Sequence, residues 1–343
     1  MSRVIETWKF RPHPLLANAH MQTVFGLRWP QRAAPYAAQV HHVTLEDGDQ
    51  LALHEDAPFG DAEEAPSILL LHGLSGGYDS SYMCRLVERL TPRGYRVFRL
   101  DMRGCGAGEG IARKPNHCGR SEDVASALNY IAELYTDSPT TLIAFSMGGT
   151  LALNMLAEAG EMRVGNFERA LMICPPIDLF SVERHFRTLL GRPYDKFFVK
   201  NIWAQVLRRW KEFPDTAPKT IPSRPKRLRD IDDMVIAPTG GFDSAEQYYT
   251  KTQPGPKLEA IRQPVTILFS KDDPVVPFAP LFDYPHSSSV ETIVTSHGGH
   301  LGFLGQPGLD ADIRWIDWRI LEWLEDPSCS FADSKAIEQA CSR

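Results

Sequence analysis

Short runs of consecutive apolar residues recur along the chain, and polar stretches of helical length separate them. Unbroken apolar runs of this kind are typical of parallel strands that helices cover on both faces. The alternation of strand and helix therefore predicts a mostly parallel central sheet flanked by helices. The predicted strands cover residues 67–72, 95–101, 140–146, 169–174, 264–270 and 291–295, and the predicted helices cover about 80–90, 121–135 and 147–159.

A different pattern precedes these runs. Residues 42–46 and 50–54 alternate between apolar and polar positions, and the tripeptide Asp-Gly-Asp at 47–49 separates them. Alternation with a period of two around such a turn predicts a β-hairpin at an edge of the sheet. With this hairpin included, the run at 169–174 is the sixth predicted strand, and after it the rhythm of strand and helix stops.

The segment that interrupts the rhythm is rich in Phe, Trp, Leu and Arg, and we expect it to form a helical cap inserted after the sixth strand. An apolar stripe within it predicts a helix that buries one face. We select Phe197 and Trp203 from this stripe as candidate substrate contacts, with packing against the main domain as the alternative. A final helix is expected at about 311–325. The predicted division is an N-terminal lead (1–39), an α/β core (40–177 and 256–326), the cap (178–255) and a C-terminal tail (327–343).

The composition narrows the range of functions. The 43 acidic residues outnumber the 37 Lys and Arg residues, so we expect no nucleic acid partner. The six cysteines form no Cys-x-x-Cys pair, and neither a metal site nor another cofactor is expected. No signal peptide is evident, and no uncharged run approaches the roughly 18 residues of a membrane span. These features predict a reduced cytoplasmic protein without a transmembrane anchor.

The strongest chemical signal is the segment Ala144-Phe-Ser-Met-Gly-Gly149, which lies between a predicted buried strand and a predicted helix. A serine in a sharp strand-to-helix turn is lifted clear of the sheet, and the turn requires small residues two positions before and after it. Ala144 and Gly148 meet this requirement, although Ala replaces the first Gly of the usual pattern. We therefore predict that Ser146 is a nucleophile. A small-residue turn that only packs the helix on the strand is the alternative.

A serine hydroxyl needs a base, and the base needs an acid that holds its orientation. Downstream, Asp272 and Asp273 follow one predicted strand, and His297 and His300 follow the next. The order Ser, Asp, His is that of an α/β hydrolase. We prefer Asp273, with Asp272 as the rival acid or as a cap of the loop's amides. We prefer His300 as the base because two glycines precede it.

Acyl transfer also needs donors for the tetrahedral oxyanion, usually backbone N–H groups after the nucleophile and after a central strand. Met147 follows Ser146 directly. Leu74 lies in the segment Leu71-His-Gly-Leu-Ser-Gly-Gly77, whose glycines give the backbone freedom to turn toward the site. We predict that the N–H groups of Leu74 and Met147 form the oxyanion hole. A phosphate-binding loop is the alternative interpretation of these glycines, but the segment lacks the Gly-Lys-Ser/Thr signature of such loops.

Taken together, these motifs resemble the YheT-like branch of the α/β hydrolases, which includes the ABHD1- and ABHD3-type enzymes. The matching segments span the chain: Pro14–Thr23, Leu71–Gly77 with Asp79 and Tyr82, Arg103–Gly106, Phe145–Gly149, Asp230–Asp233 with Gly241, Phe242, Tyr248 and Tyr249, Asp272–Pro274, and Gly298–Phe303. The resemblance implies an α/β-hydrolase fold, a triad of Ser146, Asp273 and His300, and esters with aliphatic acyl chains as substrates. Some relatives carry an N-terminal membrane anchor, and its absence here favours small soluble esters.

The leading hypothesis is a cofactor-free carboxylesterase that forms an acyl-enzyme and acts on a small-molecule ester. An acyltransferase that delivers the acyl group to an alcohol is one alternative, and a phospholipase-like lipid hydrolase is another. A binding protein on the same scaffold is a third, but the full set of nucleophile, acid, base and oxyanion residues speaks against it. The oligomeric state stays open.

Overall fold

In the part of the chain that the structure describes, the sheet that carries the site has eight strands in the order β1-β2-β4-β3-β5-β6-β7-β8. The structure is a computed structural model that describes residues 8–28, 36–60 and 64–326. Strands β1 and β2 form an antiparallel hairpin, β2 pairs antiparallel with β4, and every other pairing is parallel. The strands are β1 (Gln39–Thr44), β2 (Gln50–Asp56), β3 (Ser67–Leu71), β4 (Arg96–Asp101), β5 (Thr140–Phe145), β6 (Phe167–Ile173), β7 (Val265–Ser270) and β8 (Val290–Thr295).

Helices cover both faces of the sheet, and five of them lie between β6 and β7. The helices are α1 (Ala19–Arg28), α2 (Ser81–Leu90), α3 (Ser121–Leu134), α4 (Met147–Ala159), α5 (Leu179–Phe186), α6 (Arg192–Glu212), α7 (Leu228–Ile231), α8 (Ala237–Gly240), α9 (Ala245–Thr252) and α10 (Trp315–Glu325). A π-helical turn, Asp232–Ile236, joins α7 to α8. No helix in the described part of the chain combines the length and apolar character needed to cross a membrane.

The predicted fold class is confirmed, since the sheet is mostly parallel and helices flank it. The division into lead, core, cap and tail stays a prediction, and the tail (327–343) lies outside the described residues. The predicted start of the last helix at 311 was wrong. Residues 309–313 form bends instead, and contacts with a separate segment hold them out of the helix: Leu304 and Arg314 form a β-bridge and Gly305 N–H donates to the Ile313 carbonyl.

Alternation along each central strand divides its side chains between two apolar layers. In β3, Leu69 and Leu71 belong to the layer that includes α3, α4 and the helices between β6 and β7. Ile68 and Leu70 belong to the other layer, beneath α2 and α10. All four side chains are fully buried, which explains why this strand appears in the sequence as an unbroken apolar run.

A buried ion pair ties α2 to α10 across the second layer. Arg85 Nε and Nη2 donate to the two carboxylate oxygens of Asp317 at 2.7 and 3.1 Å. Arg89 Nε donates to the same carboxylate at 3.2 Å. Asp317 is 1% exposed, so its charge depends on these two guanidinium groups rather than on water.

We expect Asp317→Ala to lower the free energy of unfolding by about 3–5 kcal/mol, because it leaves the Arg85 guanidinium buried without a counter-charge. Glu325→Ala is the matched control, since Glu325 lies on the same helix and pairs with exposed Arg93 at 3.9 Å. Its effect should stay below about 0.5 kcal/mol. Urea titration measures both values, and equal losses in the two variants would contradict the importance of the buried pair.

Candidate active site

Ser146 occupies a strained turn between β5 and α4. Its backbone has φ 50° and ψ −122°, a conformation that residues with a side chain rarely adopt. The turn passes so close to β3 that a Cβ added to Gly148 would lie 2.6 Å from the His72 carbonyl oxygen. Ala144 is fully buried on the other side of the serine. The requirement for small residues on both sides of Ser146, which the sequence predicted, thus has a direct steric cause.

His300 lies in the loop after β8 with its imidazole against the serine. Its Nε2 is 2.9 Å from Ser146 Oγ, and its Nδ1 is 2.7 Å from an oxygen of Asp273. Gly298 and Gly299 have φ values of +147° and +59°, and these bring the loop back over the sheet edge. The structure therefore brings together the three side chains that the sequence selected as nucleophile, base and acid.

The two candidate acids have different partners. Asp273 uses one carboxylate oxygen for His300 and the other to accept the N–H groups of Val275 and Val276, at 2.8 and 2.9 Å. Asp272 instead accepts hydrogen bonds from Ser270 Oγ at 2.5 Å and from Gly299 N–H at 3.0 Å. Asp272 thus accepts a backbone N–H of the loop that carries His300. This matches the alternative role considered for it, a cap of loop amides.

His297, the rival base, does not reach the serine. Its Nδ1 is 3.2 Å from a carboxylate oxygen of Asp272, and its side chain is half exposed. His300 is only 4% exposed. The loop therefore separates a surface histidine paired with Asp272 from a buried histidine that faces Ser146.

Leu74 and Met147, whose backbone N–H groups are the predicted oxyanion donors, line the same cavity as Ser146. Within the described part of the chain, neither group donates a hydrogen bond to another protein atom. The turn that carries Leu74 is fixed by the buried imidazole of His72, whose Nδ1 is 2.7 Å from the Gly73 carbonyl oxygen. Burial lowers the pKa of His72, so the ring is neutral, donates to that carbonyl and accepts the Met102 N–H at 3.2 Å.

The cavity above Ser146 has a volume of about 160 Å³, and residues from the loops and from α5 and α6 line it. Of the two aromatic residues selected from the sequence, Phe197 is 46% exposed and Trp203 packs edge-on against Trp210; neither lines the cavity. This selection is corrected. The face of α6 that lines the cavity carries Phe198, Ile202, Gln205, Val206 and Arg209. Their spacing of three and four residues is the helical repeat, so a strict count along the helix separates this face from the one that carries Phe197.

Helix α1 binds the loop after β8 that carries His300. Thr23 Oγ1 accepts the backbone N–H of His300 at 2.9 Å and donates to the Ala19 carbonyl at 2.8 Å. The Gln22 amide binds both the N–H and the carbonyl of Leu304. A Cβ on Gly302 would lie 2.3 Å from the Gln22 carbonyl oxygen, so the loop and the helix are in direct contact. Sequence reasoning missed this role, although it noted that residues 14–23 match the family.

One group of side chains in the described ranges 8–28, 36–60 and 64–326 could bring three ligand atoms within metal-binding distance: Cys174, Asp273 and His300. Both ring nitrogens of His300 are already within hydrogen-bond distance of Asp273 and Ser146. Burial and the charge of Asp273 raise the pKa of the Cys174 thiol well above its usual value. The hydrogen bonds to Asp273 and Ser146 leave no ring nitrogen of His300 free for a metal, so this group does not offer three free ligands to a resident ion.

The profile of the α/β hydrolase fold family matches residues 66–307, which contain β3 to β8 and the Ser146, Asp273 and His300 loops. This match covers more than half of the chain. The chain therefore belongs to the α/β hydrolase family.

Similarity to individual proteins indicates the branch of the α/β hydrolase family that the chain resembles. The YheT protein of Escherichia coli is 28% identical over 321 residues, which cover 92% of this chain and 93% of YheT. Phospholipase ABHD3 of Homo sapiens is 28% identical over 276 residues, or 76% of this chain and 66% of that protein. These similarities confirm the predicted resemblance to the YheT and ABHD branch. An esterase of Pyrococcus furiosus shares the fold, with a TM-score of 0.54, 17% identity and coverage of 93% of this chain and 98% of that one.

We expect Thr23→Val to slow the reaction of Ser146 with a fluorophosphonate by about tenfold, because the valine leaves the buried His300 N–H without an acceptor and loosens the imidazole. Thr250→Val is the matched control, since Thr250 makes the same hydrogen bond to a carbonyl one helical turn earlier but lies exposed on α9. Intact-mass spectrometry follows the labelling rate. Equal rates in wild type and Thr23→Val would show that α1 does not position His300.

Proposed function

We propose that this protein is a serine hydrolase that cleaves carboxylic esters with aliphatic acyl groups. The observation that carries the proposal is the continuous hydrogen-bonded chain from Asp273 through His300 to Ser146, with distances of 2.7 and 2.9 Å. Nucleophile, base and orienting acid in this arrangement are the parts that acyl transfer to a serine requires.

In the proposed reaction, His300 Nε2 takes the proton of Ser146 as Oγ attacks the ester carbonyl carbon. The imidazolium that forms is stabilised by Asp273, whose second oxygen remains bound to two backbone N–H groups. The proton then passes to the oxygen of the departing alcohol, and the acyl group stays on Ser146. Water attacks this acyl-enzyme with His300 as the base again, which releases the acid and restores the hydroxyl.

The negative charge of each tetrahedral intermediate needs donors that are already in place. The N–H groups of Leu74 and Met147 are free within the described chain and belong to residues that line the cavity, so they are the donors we propose. The two groups lie on rigid supports. Met147 opens α4, and the turn of Leu74 is held by His72 and by the hydroxyl of Tyr82, which accepts the Gly73 N–H at 2.9 Å.

The substrate class follows from the cavity wall. Leu179, Val182, Phe186, Phe198, Ile202 and Val206 give it an apolar surface that suits an alkyl chain. ABHD3 is named a phospholipase, and esters of fatty acids fall within the class proposed here. No residue is required for a cofactor in this scheme.

Replacement of Ser146 by Ala should lower the kcat for p-nitrophenyl butyrate by at least about a thousandfold, because no other group can form the acyl-enzyme. The same variant should not react with a fluorophosphonate. Ser126→Ala is the control, since Ser126 is a partly exposed residue of α3 whose hydroxyl donates to the Glu122 carbonyl of its own helix. Labelling of Ser146→Ala as fast as wild type would place the nucleophile elsewhere.

Addition of ethanol to the same assay separates hydrolysis from transfer to an alcohol. A hydrolase should release mainly the free acid, because water occupies the position from which the acyl-enzyme is attacked. Chromatography of the products at increasing ethanol concentration measures the ratio of acid to ethyl ester. A product dominated by ethyl ester at low ethanol would replace the proposed hydrolase with the acyltransferase.

A further inference from the structure

Arg209 is a buried cation without a partner in the wall of the substrate cavity. Its residue is 9% exposed, it lies on the cavity face of α6, and its Nε is buried with no hydrogen-bond acceptor. Within the described residues its side chain makes no ion pair and no hydrogen bond. A buried guanidinium normally has a carboxylate or several carbonyls around it, because loss of water is costly for the charge.

The surrounding charges do not supply the counter-charge that the Arg209 guanidinium lacks. Burial lowers the pKa of Arg209 to about 10, and the one charge that acts in the opposite direction is that of Asp49. The side chain is therefore still protonated at neutral pH. Asp49 is already occupied, since its two oxygens accept Arg103 Nη1 at 2.8 Å, Arg113 N–H at 2.9 Å and Lys114 N–H at 3.0 Å.

The acidic residues on the cavity wall also have other partners. Asp195 accepts the backbone N–H of Leu228 at 2.8 Å. Asp232 accepts the hydroxyl of Tyr249 at 2.5 Å, and burial raises the pKa of Asp232 to about 7. Neither charge acts on Arg209. Glu183, the third acid on this wall, pairs with Arg187 at 2.5 Å, so among the described residues no acid of the cavity wall is a counter-ion of Arg209.

A second unpartnered polar atom belongs to His117, which lines the loop side of the same cavity. His117 Nδ1 accepts the Gly119 N–H at 3.1 Å, which assigns the ring proton to Nε2. This Nε2 is buried and has no acceptor, and His117 is 4% exposed. Burial lowers the pKa of His117 to about 3, so the ring is a neutral donor. Among the described residues, two buried donors without acceptors thus belong to side chains of the cavity wall, and the rest of this wall is mostly apolar.

The position of Arg209 sets its distance from the reaction centre. Phe198 lies near the start of the cavity face of α6 and contacts Phe186 of α5. Helix α5 is in turn bound to the loop that carries Asp273, through the hydrogen bond between His185 Nε2 and the Pro274 carbonyl. Arg209 lies eleven residues further along α6, which is roughly 16 Å at the rise of an α-helix. Ile202 and Val206 form the apolar wall between these two points.

We propose that Arg209 forms an anion-binding subsite at the far end of the cavity, which selects ester substrates that carry a carboxylate or a phosphate remote from the scissile bond. The proposal rests on the ester hydrolysis proposed above. An anionic group at this point supplies the counter-charge and the acceptors that the buried guanidinium lacks. The apolar wall of Ile202 and Val206 accommodates the chain that links this group to the ester.

The anion can belong to either half of the ester, and two assay pairs separate these cases. The acyl-side pair is mono-p-nitrophenyl dodecanedioate against p-nitrophenyl dodecanoate. The alcohol-side pair is a lysophosphatidic acid against the monoacylglycerol with the same chain. In one of the two pairs we expect the wild-type kcat/KM to favour the anionic ester by at least about tenfold, mainly through KM.

The variant Arg209→Met should reduce this ratio at least about tenfold, because it removes the charge and keeps the apolar stem. Arg209→Lys should retain part of the ratio. Arg208→Met is the matched control, since Arg208 is its exposed neighbour and pairs with Glu109 at 2.7 Å. The ratio is measured within each variant, so a partial loss of folded protein does not change it.

A wild-type ratio near one in both pairs, or a ratio that Arg209→Met leaves unchanged, would overturn the subsite. If no ester is hydrolysed, the proposed function fails and the subsite is tested by binding instead. Calorimetry with monomethyl dodecanedioate, on Ser146→Ala and on the double variant with Arg209→Met, should then show at least about tenfold weaker binding by the double variant. Equal binding by both would reject the subsite separately from the reaction.

Discussion

A carboxylate, an imidazole and a hydroxyl that are far apart in the sequence must meet within hydrogen-bond distance of one another. The parallel sheet makes this possible, because β5, β7 and β8 all end at the same edge and deliver Ser146, Asp273 and His300 there. Loops with strained or glycine-rich backbones then turn the side chains toward each other. Much of what surrounds the site can be understood as support for these three short connections.

Hydrogen bonds from several segments of the chain fix the positions of Asp273 and His300. Backbone N–H groups of Val275 and Val276 fix the Asp273 carboxylate. Asp272, one residue earlier, accepts the Gly299 N–H and so joins the loop that carries Asp273 to the loop that carries His300. Helix α1 adds the third contact, where Thr23 accepts the His300 N–H. A catalytic imidazole has to be held within a fraction of an ångström, and these bonds come from segments separated by more than 200 residues.

Local patterns predicted the parts of this arrangement that local physics determines. The apolar runs located the buried strands, and the small residues around Ser146 located the strained turn, because both features are properties of a few consecutive residues. The contact between Thr23 and His300 depends on how two distant segments pack, and no local pattern carries that information. The selection of Phe197 and Trp203 as substrate contacts was wrong for a related reason: a count along α6 separates its faces, but only packing decides which of them meets the cavity. The late start of α10 reflects a β-bridge between Leu304 and Arg314, again a contact between separate segments.

The central claim concerns where an attacking oxygen and a developing oxyanion lie. A crystal structure of the protein after reaction with an alkyl phosphonate ester tests it most directly, because the tetrahedral phosphorus copies the geometry of the intermediate. The account predicts a covalent bond from phosphorus to Ser146 Oγ, a phosphonyl oxygen within hydrogen-bond distance of the N–H groups of Leu74 and Met147, and His300 Nε2 beside the leaving-group position. Phosphorus bound to any other side chain, or a phosphonyl oxygen directed away from both N–H groups, would contradict it.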